Sequence, residues 1–162
     1  MMASTSYFSG AEPSGTIPCD AEPAPALATL SLPSDAARIG QLLGFGEEFA
    51  HRHDLAAGDR AWLLIILEEL FVNAVDHGFC GRTTGHIDVT LRQRGARTTI
   101  HFSDNAPPFD PLDWAAPDLD LPISERPIGG LGLHLLRSGV DMARYRRVGD
   151  RNHLVLIRRA RH

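Results

Sequence analysis

Glu69-Leu70-Phe71-Val72-Asn73-Ala74-Val75-Asp76-His77 carries two patterns at once. Helical spacing sets Glu69, Asn73 and His77 on one polar stripe. Leu63, Ile66, Leu67, Leu70, Phe71 and Ala74 recur at the three-and-four spacing of a core-facing stripe. A helix with its packing face elsewhere is free to aim Glu69 and Asn73 at a ligand, and a carboxylate one turn from an amide suits metal and proton chemistry. Asp59 offers this helix an N-cap, and Gly78 predicts its stop after His77.

On the N-terminal side, residues 1–25 are rich in Ala, Pro, Ser and Gly without periodicity, which predicts a flexible tail. Ala28, Leu30 and Leu32 alternate as a strand that Pro33 breaks. Ser34 or Asp35 then caps a helix running to about His51, with Ile39, Leu42, Leu43 and Phe49 toward the core and Gly44 and Gly46 weakening its middle. On the C-terminal side, Ile87, Val89 and Leu91, the turn Arg94-Gly95-Ala96, and Thr98, Ile100 and Phe102 form a β-hairpin ending at Asp104. Residues 105–128 hold six prolines and read as a long functional loop or lid. A short helix from Gly132 to about Ser138 precedes a second hairpin, Met142 to Val148 and His153 to Arg158, turned by Gly149-Asp150-Arg151-Asn152. Strands paired through hairpins with helices gathered between them predict a single domain over residues 26–162. Its class is α/β (α+β), a two-layer sandwich whose mixed, mostly antiparallel sheet is covered on one face by helices.

Composition narrows the function classes. The 162 residues are 43% hydrophobic, as in ordinary globular proteins. There is no apolar run near the length of a membrane span and no basic-then-apolar leader, so the expected compartment is the cytoplasm, without a membrane partner. Cys19 and Cys80 lack metal-ligand spacing and read as free thiols. The net charge of -4 is uneven: residues 1–80 carry 11 acids and 3 arginines, residues 140–162 carry 7 arginines and 2 acids. The acidic balance and few aromatics favour a solvated sheet face or a protein-docking surface over direct nucleic-acid binding. All 16 basic residues are arginine. A Walker-type phosphate loop and the strand lysine of ordinary protein kinases are therefore excluded.

Three segments carry chemistry. Asn73 can offer its amide oxygen to magnesium, and Glu69 can take a proton from an attacking hydroxyl; the competing reading is an exposed helix face that both residues solvate. Asp104, at a strand end, can accept from an exocyclic amine such as that of adenine, or can simply start a turn. Gly129-Gly130-Leu131-Gly132 opens a helix and either brings backbone N–H groups to a phosphate or acts as a hinge. His134, one turn on, is placed for a phosphate contact or for the surface. His77 reads as a structural partner near the helix end, and Trp62 and Trp114 as packing residues.

Together, Glu69-x-x-x-Asn73, Asp104-x-Ala106 with Pro107-Pro108-Phe109-Asp110-Pro111, and Gly129-Gly130-Leu131-Gly132-Leu133-His134-Leu135 resemble the N, G1 and G2 boxes of the gyrase, chaperone and histidine-kinase ATPase superfamily. The short single-domain form and the Pro-Pro-Phe-Asp-Pro segment look like the anti-sigma-factor serine/threonine kinases of bacterial partner-switching systems. That resemblance implies the histidine-kinase-like ATPase fold over residues 27–158. It implies ATP and Mg2+ as cofactors, Asn73 on the metal, Asp104 and Ala106 in the adenine-side box, and Gly129, Gly130, Leu131, Gly132 and His134 in the phosphate box. Glu69 is then the general base. It further implies a homodimer that binds a sigma factor and phosphorylates a small anti-anti-sigma protein. Ala106 stands where the G1 box usually has glycine, a change tolerated where the backbone needs no positive φ. The alternative is a non-catalytic nucleotide-binding or sequestering module. A histidine-kinase catalytic domain would need a dimerisation helix pair, and a topoisomerase-type ATPase a transducer domain; neither is expected from these residues.

Overall fold

The alternating apolar residues form strands that share one sheet. The computed structural model describes residues 26–112 and 139–160. Strand β1 (Ala26–Pro33) leads through a 3-10 turn (Ala36–Arg38) into helix α1 (Ile39–Arg52) and helix α2 (Ala57–Val72). Strands β2 (His86–Arg94), β3 (Arg97–Asp104), β4 (Met142–Val148) and β5 (Arg151–Arg159) follow. The sheet order is β1-β2-β3-β5-β4, and every pairing is antiparallel. Among the described residues both helices lie on one face, as the pattern predicts. The expected glycine-rich segment Gly129–Leu135, the short helix to Ser138, Trp114 and the tail with Cys19 lie outside the described residues. Cys80 is a free, exposed thiol.

Period-two burial puts Ile87, Val89, Leu91, Ile100, Phe102, Leu154 and Leu156 against the helices, where they meet the predicted α2 stripe, all of it buried. Leu42 and Phe49 of α1 are buried as expected, whereas Ile39 and Leu43 are half-buried. Gly46 has a positive role: an added Cβ would lie 2.8 Å from Leu67 Cδ1 and 3.0 Å from Leu64 Cδ2, so its hydrogen lets the two helices approach. Gly44 is exposed with open space around it, and there only the propensity cost applies.

Several boundaries differ from the sequence reading, each for a local reason. Pro33 ends β1 inside the strand, paired with His86, because an edge strand spares proline a missing N–H. Asp35 caps the 3-10 turn, accepting from Ala37 N at 3.0 Å, while α1 itself begins after Arg38 without a side-chain cap. Ser34 instead joins the loop before β2, accepting from Gly85 N at 2.9 Å. Helix α2 starts at Ala57 with Ala56 as N-cap. Asp59 is drawn away from capping by Arg158, at 2.9 Å. The last hairpin turns through Gly149-Asp150 alone, since Val148 pairs with Arg151; Arg151 and Asn152 belong to β5. Gly149 and Gly95 supply the positive φ (59° and 53°) at the first central position of these two-residue turns.

The open face carries His101 and His153, stacked with ring centroids 5.3 Å apart and Nε2 to Nδ1 at 3.1 Å. One nitrogen donates and the other accepts, an arrangement that two imidazolium rings cannot keep. Both pKa values are lowered, first by burial. The Arg146 and Arg151 charges add to this, against Asp88 at His101 and Asp104 at His153. Folded histidines with lowered pKa bind fewer protons than unfolded ones below the ordinary value. Stability contributed by the pair is therefore full above that value and declines as pH falls through it. Urea midpoints measured from about pH 7.5 to 5 should drop for the wild type and flatten in His101→Gln.

Candidate functional site

The polar stripe ends in an altered helix. From Asn73 to Gly78 the chain continues α2 as a π-helical turn, with Phe79 N donating to Ala74 O at 2.8 Å in place of a four-residue bond. His77, within this wider turn, is exposed. Glu69 and Asn73 are half-buried and remain one α-turn apart. Burial of Glu69, and secondarily the Glu68 charge, raises its pKa above the ordinary glutamate value. Glu69 thus holds its proton more readily than an exposed carboxylate, as a base operating near neutrality requires.

Asn73 and Asp104 line one cleft, closed by Phe109 and Pro111 from the segment after β3 and by Tyr145 and Asn152 from the last hairpin. Asp104 is 8% exposed. Its Oδ1 accepts from Ala106 N at 2.9 Å and from Asn152 Nδ2 at 2.8 Å. Both bonds fall on one oxygen, which leaves Oδ2 for a further donor. Ala106 is buried and is not among the described non-glycine residues with positive φ, Asp54 and Cys80. Its methyl faces Gly78, where an added Cβ would come within 2.9 Å. Alanine fits because glycine stands opposite it at the end of the helical segment.

Asn152 organises this corner, and sequence reasoning missed it by assigning it to the turn. Its Nδ2 also reaches the carbonyls of Ala106 (3.3 Å) and Pro107 (3.1 Å), while its Oδ1 accepts from Tyr145 Oη (2.8 Å) and Arg147 Nη1 (2.9 Å). Arg147 Nη1 donates again to Ala106 O at 2.6 Å. A two-residue Gly-Asp turn was the missed signal: it puts Asn152 in phase with Leu154 and Leu156, a polar residue on an apolar face. Asn152→Ala should loosen the Asp104–Pro107 segment, lowering stability by about 1–3 kcal/mol. Affinity for a ligand held at Asp104, measured by calorimetry, should weaken about tenfold or more.

The residues fit a metal-bound nucleotide on one specific observation: the buried Asn73 Nδ2 has no hydrogen-bond partner. An amide can exchange its oxygen and nitrogen positions without steric cost, so the position without a partner suits the oxygen that a cation would need. Among the described residues no group of three acidic, histidine or cysteine side chains could hold a metal by itself. Asn73 would therefore share magnesium with phosphate oxygens and water. Among the described residues the cleft has room for about 40 Å³, a few waters. Gly129, Gly130, Leu131, Gly132 and His134 lie outside the described residues.

Residues 32–158 match the model of the histidine kinase-like ATPase domain. The chain is 33% identical over 131 residues to the serine/threonine-protein kinase BtrW of Bordetella bronchiseptica, covering 79% of this chain and 90% of that protein. The crystal structure of the RsbU and RsbW domains of a Mycobacterium tuberculosis protein superposes with a TM-score of 0.59 at 17% identity. That match covers 83% of this chain and 32% of the other, so the chain spans about a third of that longer polypeptide. Among the described residues no helix is long and apolar enough to cross a membrane.

Proposed function

The chain belongs to the histidine kinase-like ATPase family, and from that premise we propose that it is an ATP-dependent serine/threonine protein kinase acting as an anti-sigma factor. It binds a sigma factor and phosphorylates a small anti-anti-sigma protein, working in the cytoplasm as a homodimer. The observation that supports this most is the cleft in which Asn73, with its unpartnered amide, and Asp104, braced by Asn152, face one space while Glu69 stands a turn away with a raised pKa. Similarity to a protein named as a serine/threonine kinase supports the same reaction class.

In this reading Asp104 accepts a hydrogen bond from the adenine amine, and Asn73 would hold magnesium. The Gly129–Gly132 backbone and His134 meet the phosphate tail, an assignment that rests on their sequence pattern. Bound magnesium supplies charge screening for the triphosphate. Glu69 takes the proton of the acceptor hydroxyl as its oxygen bonds the γ-phosphorus and ADP departs. Without a lysine in the chain, positive charge at the phosphates comes from the metal, backbone N–H groups and arginine.

The test is a capture from lysate of the source cell with labelled ATP and Mg2+, followed by mass spectrometry of bound proteins and phosphorylated residues. A small captured protein carrying new serine or threonine phosphate supports the kinase reading, and a co-captured sigma factor supports the switch. Stable partners without phosphate transfer would replace it with the sequestering module.

A further inference from the structure

Strand β4 ends the sheet order, so among the described residues its outer edge has no neighbouring strand. The two-residue turn makes Val148 and Arg151 a hydrogen-bonded pair. Bonded pairs then recur at every second residue, which turns the N–H and C=O groups of Ala143, Tyr145 and Arg147 outward. An edge of this kind is a template for a further strand.

The side chains along the edge define what would pair with it. Met142, Arg144, Arg146 and Val148 pair with Ile157, Val155, His153 and Arg151 on the sheet face opposite the helices, and all four are exposed. Met142 and Val148 are 54% and 51% exposed, two of the five exposed large apolar side chains among the described residues, and both stand on this one strand face. Arg144 and Arg146 lie between them. Among the described residues neither arginine makes an ion pair or a side-chain hydrogen bond. Asp88, across the same face, binds Arg151 and Ser31. The Asp141 carboxylate accepts the backbone N–H of Arg159, and Asp150 lies past Val148 in the turn.

A residue directly opposite on an added strand has its Cβ about 5 Å away, where opposite charges are favourable and like charges destabilising. That rule selects the occupant. Two copies of β4 paired antiparallel about Tyr145 would set Arg144 against Arg146, so a second copy is the wrong partner. Strand β1, the other edge, carries Leu27, Thr29 and Ser31 on the same face, with no charge to select an acidic segment. We propose that β4 receives an extended acidic segment of a partner protein as a sixth strand, with apolar residues against Met142 and Val148 and carboxylates against Arg144 and Arg146. Main-chain hydrogen bonds to Ala143, Tyr145 and Arg147 supply affinity, and the apolar, acidic, acidic, apolar order at alternate positions supplies specificity.

The experiment is a titration of the isotope-labelled full chain with a heptapeptide, read by amide NMR and hydrogen exchange at constant ionic strength. The peptide has valine at both ends, glutamate at its third and fifth positions, and threonine between. Saturable shifts along β4 are expected, with slowed exchange at Ala143, Tyr145 and Arg147, which contact through side chains alone would not produce. Affinity should fall at least about fivefold in Arg144→Gln/Arg146→Gln. It should fall as far when the peptide carries glutamine for glutamate against the unaltered chain, a comparison that stands even where the double variant does not fold. Absence of binding, equal binding of the two peptides, unslowed exchange at the three amides, or tighter binding of a single-stranded oligonucleotide of equal charge would overturn the proposal. No arm of the test involves ATP, so failure of the kinase reading is distinguishable from failure of this one.

Discussion

Glu69→Gln should lower phosphoryl transfer by about 100- to 10,000-fold while leaving ATP and partner binding within a few fold. The amide keeps the shape and loses the proposed base, and Glu69 lies outside the wall of the Asn73–Asp104 cleft among the described residues. Stability gives a second readout. A carboxyl whose pKa is raised on folding binds protons more tightly in the folded state, so it costs stability above its unfolded pKa. At neutral pH the glutamine variant should therefore unfold at the wild-type temperature or higher. A lower Tm, with loss of both transfer and partner binding, would assign Glu69 to supporting the fold. The pH profile adds a sign: a base must be ionised, so transfer falls as pH drops through a value above the ordinary glutamate range. Burial is the main cause and Glu68 the second, so Glu68→Gln should move that acid limb to lower pH by a smaller amount.

Arg158→Ala should destabilise the fold as much as the loss of a buried core side chain. Arg158 and Asp59 meet at 2.9 Å with side chains 14% and 8% exposed. The guanidinium also lies 4.9 Å from the Trp62 ring centroid and donates to Gly139 O at 3.2 Å. Two charges taken out of water nearly offset their own attraction, but removing one leaves the other buried without compensation. The expected loss is about 3–5 kcal/mol, a Tm fall of roughly 6–20 °C for a domain of this size. Asp59→Asn/Arg158→Met should recover most of it. A double variant no better than Arg158→Ala would show that the pair itself, rather than the orphaned carboxylate, carries the effect.

That pair also shows where local reading ends. Asp59 sits at a plausible capping position by its neighbours, yet its partner is 99 residues away on β5. Asn152 was similarly read as turn chemistry, because residue type alone does not reveal whether a hairpin closes over two residues or four. The two-residue closure puts it on the buried face beneath Asp104.

Periodicity alone determined the two described helices, the existence of the two hairpins and the buried faces of α2, β2 and β3, because the spacing of side chains along a helix or strand is local geometry. The absence of lysine likewise excluded phosphate loops that need one, since composition requires no fold. Tertiary structure alone decided that Asn152 braces Asp104, that Gly78 makes room for Ala106, and that Arg158 meets Asp59. Those contacts join strands through register and hydrogen bonding between residues distant in the chain, and only packing brings them within reach.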